Sequence, residues 1–446
     1  MEWVSDRNVA SFVDLYELTM AASYFGHGLN EAATFELSVR ELPPGRGFLV
    51  ACGLEDALAY LEGLEFDGDA IAHLLALGTF DEAFLEALST MRFSGEVWAV
   101  PEGETVFAQE PLLRVTAPLV EAQLVETFLL NTITFQTMIA TKAARIDLAC
   151  AGRTFVDFSS RRDHGADAAL KGARASFIGG AAATSNVLAG RLYGLELSGT
   201  MAHAYVLSFE DEGEAFRTYA RDFPQSAVLL IDTYDTLRGA KRAAAIANEL
   251  RPEGVTVQGV RLDSGNLGEL ARAVRTVLDD ARCEEVRIFA SGDLDEYRIA
   301  ALVEAGAPID AFGVGTRLGT SADAPSLSGV YKLVADARGP KMKRSAGKAS
   351  LPGTKQVYRT EENGLTTADT ITLAGEAGVA GRPLLAQVLA AGRRLGAPET
   401  LRTIRERRKR AVARLPAGAR ALAAEPGSYP VALSAGLRRL RADLGG

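Results

Sequence analysis

Six short polar runs in the middle of the chain hold the residues best suited to chemistry. They are Asp157-Phe158-Ser159-Ser160-Arg161-Arg162, Thr200-Met201-Ala202-His203, Asp232-Thr233-Tyr234-Asp235, Arg261-Leu262-Asp263-Ser264-Gly265, Ser291-Gly292-Asp293 and Gly313-Val314-Gly315-Thr316. Guanidinium groups such as Arg161, Arg174 and Arg261 can grip phosphate or carboxylate oxygens two at a time. Asp232, Asp263 and Asp293 can accept from ribose hydroxyls, or act on Mg²⁺ indirectly through phosphate oxygens. Ser264-Gly265 and Gly313 to Thr316 precede helical patterns, so free backbone N–H groups there can receive a phosphate. Phe158 offers a face to a flat ring. The set describes a pocket for a phosphorylated sugar and an aromatic ring.

His203 is one of only four histidines, which makes its place in SGTMAHAYV worth a question. Small residues before it and Tyr205-Val206-Leu207 after it read as the end of a buried strand. Two readings stay open on the residues alone: a core imidazole bonded to a carbonyl, or a catalytic one at a strand end.

The elements that must position these residues follow a strand-then-helix rhythm from Arg153 onward. Strands are expected at 153–158, 195–201, 227–233, 255–264, 286–293 and 309–316, with helical runs such as LGELARAVRTVLDDA (267–281) between them. Repeated βα units specify a parallel sheet, whose strand C-termini share one face where active sites assemble. Six strands fall short of a full eight, so the expected fold class is α/β: an irregular (β/α) barrel plus an α+β domain built from N- and C-terminal segments. The domain reading is 1–118, completed by about 335–446, around a barrel at 119–334. Residues 14–88 read as mostly helical, 94–118 as strands with tight turns, and 120–149 as a long apolar helix. After Val334 a basic loop gives way to a largely helical end, where RTIRERRKRAVARL (402–415) reads as a solvated helix face.

Bulk properties exclude several classes. A formal charge of −9 argues against a nonspecific nucleic-acid surface. Cys52, Cys150 and Cys283 lack metal-ligand spacing and read as reduced thiols, the start of the chain has no apolar signal core, and no apolar stretch is long enough to span a bilayer. The expected location is therefore cytoplasmic. GVGTRLG (313–319) has the wrong spacing and position for a dinucleotide fingerprint, and no P-loop, G-x-S-x-G elbow or H-E-x-x-H occurs.

Nine segments in order, DLYELTM (14–20), DFSSRRDHGADAAL (157–170), GGAAATSNVLAG (179–190), GTMAHAYV (199–206), LLIDTYDT (229–236), GVRLDSGNL (259–267), ASGDLDE (290–296), DAFGVGT (310–316) and PGTKQVYR (352–359), resemble the nicotinate phosphoribosyltransferase family. The resemblance implies a homodimer with shared active sites. It also implies a reaction of nicotinate with phosphoribosyl pyrophosphate, with Mg²⁺, coupled to ATP hydrolysis through a phosphohistidine. Residue by residue it implies that Tyr16 stacks on the pyridine ring across the dimer interface, opposite Phe158. Arg161 and Arg261 would meet phosphate and substrate, while Asp232 and Asp263 would serve ribose and Mg²⁺-linked oxygens. Ser291, Gly292, Asp293, Gly313, Gly315 and Thr316 would cradle the 5′-phosphate, and His203 would carry the phosphoryl group. The second ring nitrogen of His203 needs an acceptor, and the acidic stretch that follows offers Glu210 or Glu214. Near Ser185 and Asn186 the nicotinamide-specific relatives carry an acid, so uncharged groups there favour nicotinate. Two departures stand out: Asn266 where the family usually has Asp in Asp-Ser-Gly-Asp-Leu, and Asp163 in Arg162-Asp163-His164 where Ala is commoner. The competing readings are a nicotinamide or quinolinate phosphoribosyltransferase and, of another class, a catalytically silent binding barrel prompted by Asn266.

Overall fold

A computed structural model describes residues 4–345, 349–425 and 427–445, so 346–348 of the basic loop lie outside the described residues. The chain divides into two compact units, Met1–Met138 with Ser326–Gly446, and Ile139–Pro325.

The first unit is built on antiparallel strands. A seven-stranded sheet runs in the order Gly339–Pro340, Gly329–Asp336, Ala32–Val39, Pro111–Pro118, Glu96–Ala99, Ala386–Ala390, Arg393–Arg394. The strand Ala32–Val39 lies in the region read as mostly helical. Its alternation sends Phe35, Leu37 and Val39 into the core, and buried Glu36 is neutralised by Lys355 Nζ at 2.8 Å. The stretch 94–118 forms strands as expected, at Glu96–Ala99, Thr105–Val106 and Pro111–Pro118. The C-terminal part departs from the helical expectation. Strands Lys355–Glu362 and Leu365–Leu373 pair antiparallel and join a four-stranded sheet with Arg382–Pro383 and Val431–Leu433. The signal was local: Asn363 and Gly364 both have positive φ (51° and 78°), the hairpin turn that Asn-Gly favours. Helices are confined there to Leu401–Ala413, Ala417–Arg420 and Ala435–Gly445.

The second unit is the α/β one. The helix Glu126–Ala149 leads into it. Six strands follow in a parallel sheet ordered Ala183–Thr184, Thr154–Asp157, Ala311–Val314, Arg287–Ala290, Val257–Leu262, Ala227–Leu230. It is a curled half-barrel, since the two edge strands do not pair with each other among the described residues. Five of the expected strands are present. The sixth, 195–201, is not: after Gly194 (φ 65°) it makes a single bridge, Leu197 to Thr184, and then runs as loop. The two-residue strand Ala183–Thr184 takes the edge position instead. His203 therefore does not end a buried strand; it opens the short helix His203–Leu207.

A buried charge cluster ties the leading helix to the helix after the strand Arg287–Ala290. Glu296, fully buried, receives Lys142 Nζ at 2.5 Å and Arg145 Nε at 2.9 Å, while Lys142 also reaches Asp323 at 2.6 Å. Taking one carboxylate away leaves a buried excess of positive charge, which costs far more than the pair's net worth. Glu296→Ala is expected to lower unfolding free energy by about 3–5 kcal/mol, read as a reduced urea midpoint by tryptophan-independent far-UV dichroism.

Candidate active site

The strand ends of the second unit surround a cavity of about 240 Å³ lined by Phe158, Thr200, Arg261, Ser291 and Gly313, with Val156, Leu197, Val228, Phe289 and Phe312 as apolar walls. Gly313 is there for space: a Cβ on it would stand 2.6 Å from the Phe158 ring. Phe158 N–H donates to Val314 O at 2.8 Å, which fixes the ring's backbone beside that strand end.

Arg261 reaches the cavity from the strand Val257–Leu262 and donates from Nη1 to Thr200 Oγ1 at 2.7 Å. Its Nε is buried and has no hydrogen-bond partner among the described residues. Burial lowers its pKa from the ordinary arginine value, with Asp263 and Asp232 opposing that shift. Beside it, Asp232 Oδ2 accepts from Asp263 N–H at 3.0 Å and Ser264 Oγ at 2.6 Å. Asp232 Oδ1 is buried and equally without a partner among the described residues. One orphaned donor and one orphaned acceptor thus stand at neighbouring strand ends, where a water or a ligand atom could satisfy them.

Asp263 is held by Ser291, whose Oγ donates to Oδ1 at 2.5 Å. Gly292 (φ 98°) lets the chain pass so close that a Cβ there would lie 2.1 Å from Asp263 O. His203, 42% exposed, has Nδ1 at 3.1 Å from Thr233 Oγ1 and Nε2 at 4.0 Å from Asp263 Oδ2. Thr233, rather than Glu210 or Glu214, is therefore the side chain that meets its ring; the sequence carried this signal only as one of several hydroxyls in LLIDTYDT.

Other expected residues are engaged elsewhere. Asp293 is clasped by Arg317 through two bonds of 3.0 Å and by Arg298 at 3.3 Å, and the Arg317 hydrogen bonds hold its carboxyl below the ordinary value. Arg161 is exposed and Arg174 is buried within the helix Ala166–Gly179. Ser185 is exposed, and Asn186 caps the helix Val187–Tyr193 by accepting from Ala189 N–H at 3.0 Å. Gly315 and Thr316 open a helix of only four residues, Thr316–Gly319, so its dipole is small. Gly265 (φ 81°) precedes the longer helix Leu267–Asp280, whose N-cap is Asn266, accepting from Glu269 N–H at 3.4 Å. Asn and Asp cap about equally well, so the departure at 266 keeps the local fold. Tyr16 belongs to the first unit, on the helix Leu15–Gly26, where it is 46% exposed; burial of its hydroxyl and the nearby Glu126 raise its pKa. No cluster of three or more His, Cys, Asp or Glu suited to binding a metal directly occurs among the described residues.

The second departure, Asp163, carries a cost. Its Oδ2 accepts from Ser159 Oγ at 3.1 Å, but its Oδ1 is buried without a partner among the described residues. Burial, and then the buried Asp157 nearby, push its pKa up to about 6 from 3.8. A folded-state value above the unfolded one means the fold favours the protonated form. That contribution is complete below pH 3.8 and is lost as pH rises through about 6. Asp163→Asn, which mimics the neutral form, is expected to stabilise by about 1 kcal/mol at pH 8 after allowance for solvent screening, and by little at pH 4. Denaturant melts at the two pH values check this.

A parallel half-barrel whose strand ends gather Arg, Asp, Ser and Gly around a slot walled by Phe158 supplies the donors and acceptors that a phosphorylated sugar would need. Comparison with known proteins narrows the reading. Residues 12–134 match the family model for the nicotinate phosphoribosyltransferase (NAPRTase) N-terminal domain, and 153–373 match the nicotinate phosphoribosyltransferase (NAPRTase) family model. The chain belongs to the nicotinate phosphoribosyltransferase family. It is 48% identical over 427 residues to nicotinate phosphoribosyltransferase pncB2 of Mycobacterium tuberculosis, covering 95% of this chain and 91% of that one. The Bacillus subtilis nicotinate phosphoribosyltransferase is 43% identical over 381 residues, covering 83% and 77%. The crystal structure of human nicotinic acid phosphoribosyltransferase superposes with a TM-score of 0.85 at 30% identity, covering 97% and 99%. No described helix is long and apolar enough to cross a membrane.

Proposed function

We propose that this chain joins nicotinate to phosphoribosyl pyrophosphate in NAD salvage, forming nicotinate mononucleotide and pyrophosphate. The observation that carries the reading is the orphaned pair at neighbouring strand ends: Arg261 Nε, of a residue that lines the cavity with Phe158 and Gly313, and Asp232 Oδ1 beside it. The nicotinate ring lies against Phe158, and its nitrogen forms the bond to C1 of the ribose as the pyrophosphate oxygen leaves. The transition state is oxocarbenium-like, so no side-chain nucleophile is required. Arg261 donates to the departing or acidic oxygens, and Asp232 Oδ1 accepts from a ribose hydroxyl. Mg²⁺, bound through substrate oxygens, would neutralise pyrophosphate charge; Asp232 and Asp263 fit that indirect role, because their neighbours leave one carboxylate oxygen unpartnered at Asp232 and one facing His203 at Asp263.

His203 couples ATP to this transfer in the same reading. Thr233 engages Nδ1, which leaves Nε2 as the nitrogen to accept the γ-phosphoryl group while the β–γ bridging bond of ATP breaks. Hydrolysis of the phosphoramidate then restores the imidazole. The acting assembly is a cytoplasmic homodimer in which exposed Tyr16 completes the partner's site.

Steady-state assays with nicotinate, nicotinamide and quinolinate, with and without ATP, test the reading. Turnover of nicotinamide with a comparable kcat/KM overturns the assignment of the base, and a complete absence of turnover favours the silent barrel. His203→Ala is expected to abolish ATP stimulation and acid-labile, alkali-stable labelling from γ-³²P-ATP while sparing a slow ATP-independent transfer; full stimulation in the variant would remove the coupling role. Tyr16→Ala and Arg261→Ala are each expected to lose about 10²–10³ in kcat, and verified mixed dimers should recover part of it.

A further inference from the structure

The basic run 402–415 is not wholly a solvated face. Arg407, Arg410 and Arg414, at three- and four-residue spacing along and just past the helix Leu401–Ala413, border a cavity of about 280 Å³ in the first unit. Arg359 and Arg382 line it too. Glu104 is the one carboxylate in its lining, and it already receives Arg359 Nη1 at 3.3 Å and Arg382 Nη2 at 3.0 Å. The other pairings are made with carboxylates that do not line the cavity: Asp369 for Arg359, Glu361 for Arg382 and Arg414, Glu399 for Arg407. These contacts anchor four of the five guanidinium groups and offset most of their charge. Arg410 has no side-chain hydrogen bond or ion pair among the described residues, so helix–sheet anchoring does not account for it.

Glu104, Asp369, Glu361 and Glu399 answer four of the five guanidinium charges, so the cavity keeps the charge of Arg410 and the N–H groups that these pairs leave unused. Only one carboxylate stands inside the void, and the net positive charge draws an anion there. A phosphoryl group offers several acceptor oxygens to planar, two-pronged donors, and a void of about 280 Å³ admits more than one. We infer that this cavity is a second anion site that binds a condensed phosphate, either free pyrophosphate or the polyphosphate tail of a nucleotide. Its lining belongs to the first unit alone, and its existence does not depend on which base the second unit's site uses.

Arginine modification by phenylglyoxal, mapped by peptide mass spectrometry on the full chain, reads the site directly. Inorganic pyrophosphate, a non-hydrolysable ATP analogue and adenosine are the probes, and exposed Arg441 is the internal control. Modification of Arg410 is expected to slow at least fivefold with a condensed phosphate and not with adenosine, while Arg441 is unaffected. Protection by pyrophosphate assigns the free anion, and protection by the ATP analogue alone assigns the nucleotide tail. The exposed position of Arg410 makes Arg410→Glu compatible with folding, and in titration calorimetry this variant should weaken the corresponding binding step at least tenfold. Equal modification rates with and without both phosphates, or unchanged binding in Arg410→Glu, overturn the proposal.

Discussion

Three neighbouring strand ends of the half-barrel are linked by one relay of hydrogen bonds: Ser291 Oγ to Asp263, then Asp263 N–H and Ser264 Oγ to Asp232. Parallel strands deliver their C-termini to one face, but the ladder alone does not fix the loops beyond it. The relay does. It sets the distance from Asp263 to His203, leaves Asp232 Oδ1 open, and relies on Gly292 to let two backbones pass within contact. Loss of any link would move several of the groups that the proposed transfer needs at once.

Several of the protein's buried charges stand in balanced sets. Lys142, Arg145, Glu296 and Asp323 stand together in one unit, and Arg359 with Asp369, or Lys355 with Glu36, in the other. Each ion is expensive to desolvate alone, so such clusters tolerate little change in one member. Asp163 is the contrast. With one oxygen unpartnered among the described residues, its burial and then the nearby Asp157 raise its pKa, and Ser159 and His164 offset this only in part.

The barrel was legible in the sequence because its apolar strands end in polar residues at a regular rhythm; five of six strands stand where that rhythm puts them. The edge strand was misplaced because an edge needs only a short ladder, and Ala183–Thr184 supplies it with two residues of no distinctive pattern. The C-terminal strands were hidden by charge: KQVYRTEENGLTTADTITL alternates, but Lys355, Arg359 and Asp369 occupy inward positions, where Lys355 meets Glu36 far along the chain and Arg359 pairs with Asp369 across the hairpin. For the candidate site, residue types singled out Arg261, Asp232, Asp263 and His203, which the fold brings to neighbouring positions. Their geometry was not legible, since Thr200 and Thr233 are ordinary hydroxyls until the fold brings them to Arg261 and His203. Asp293 shows the converse, a plausible ligand by type whose carboxylate is spent on Arg317.

The contact between Gly313 and the Phe158 ring also bears on how this lineage can diverge. Because even one added carbon at 313 would collide with the ring at 2.6 Å, the slot's floor has no intermediate sizes to pass through. A change in the fit of the slot must therefore come from its other lining residues, such as Leu197, Thr200 or Val228, or from position 313 and the ring changing together.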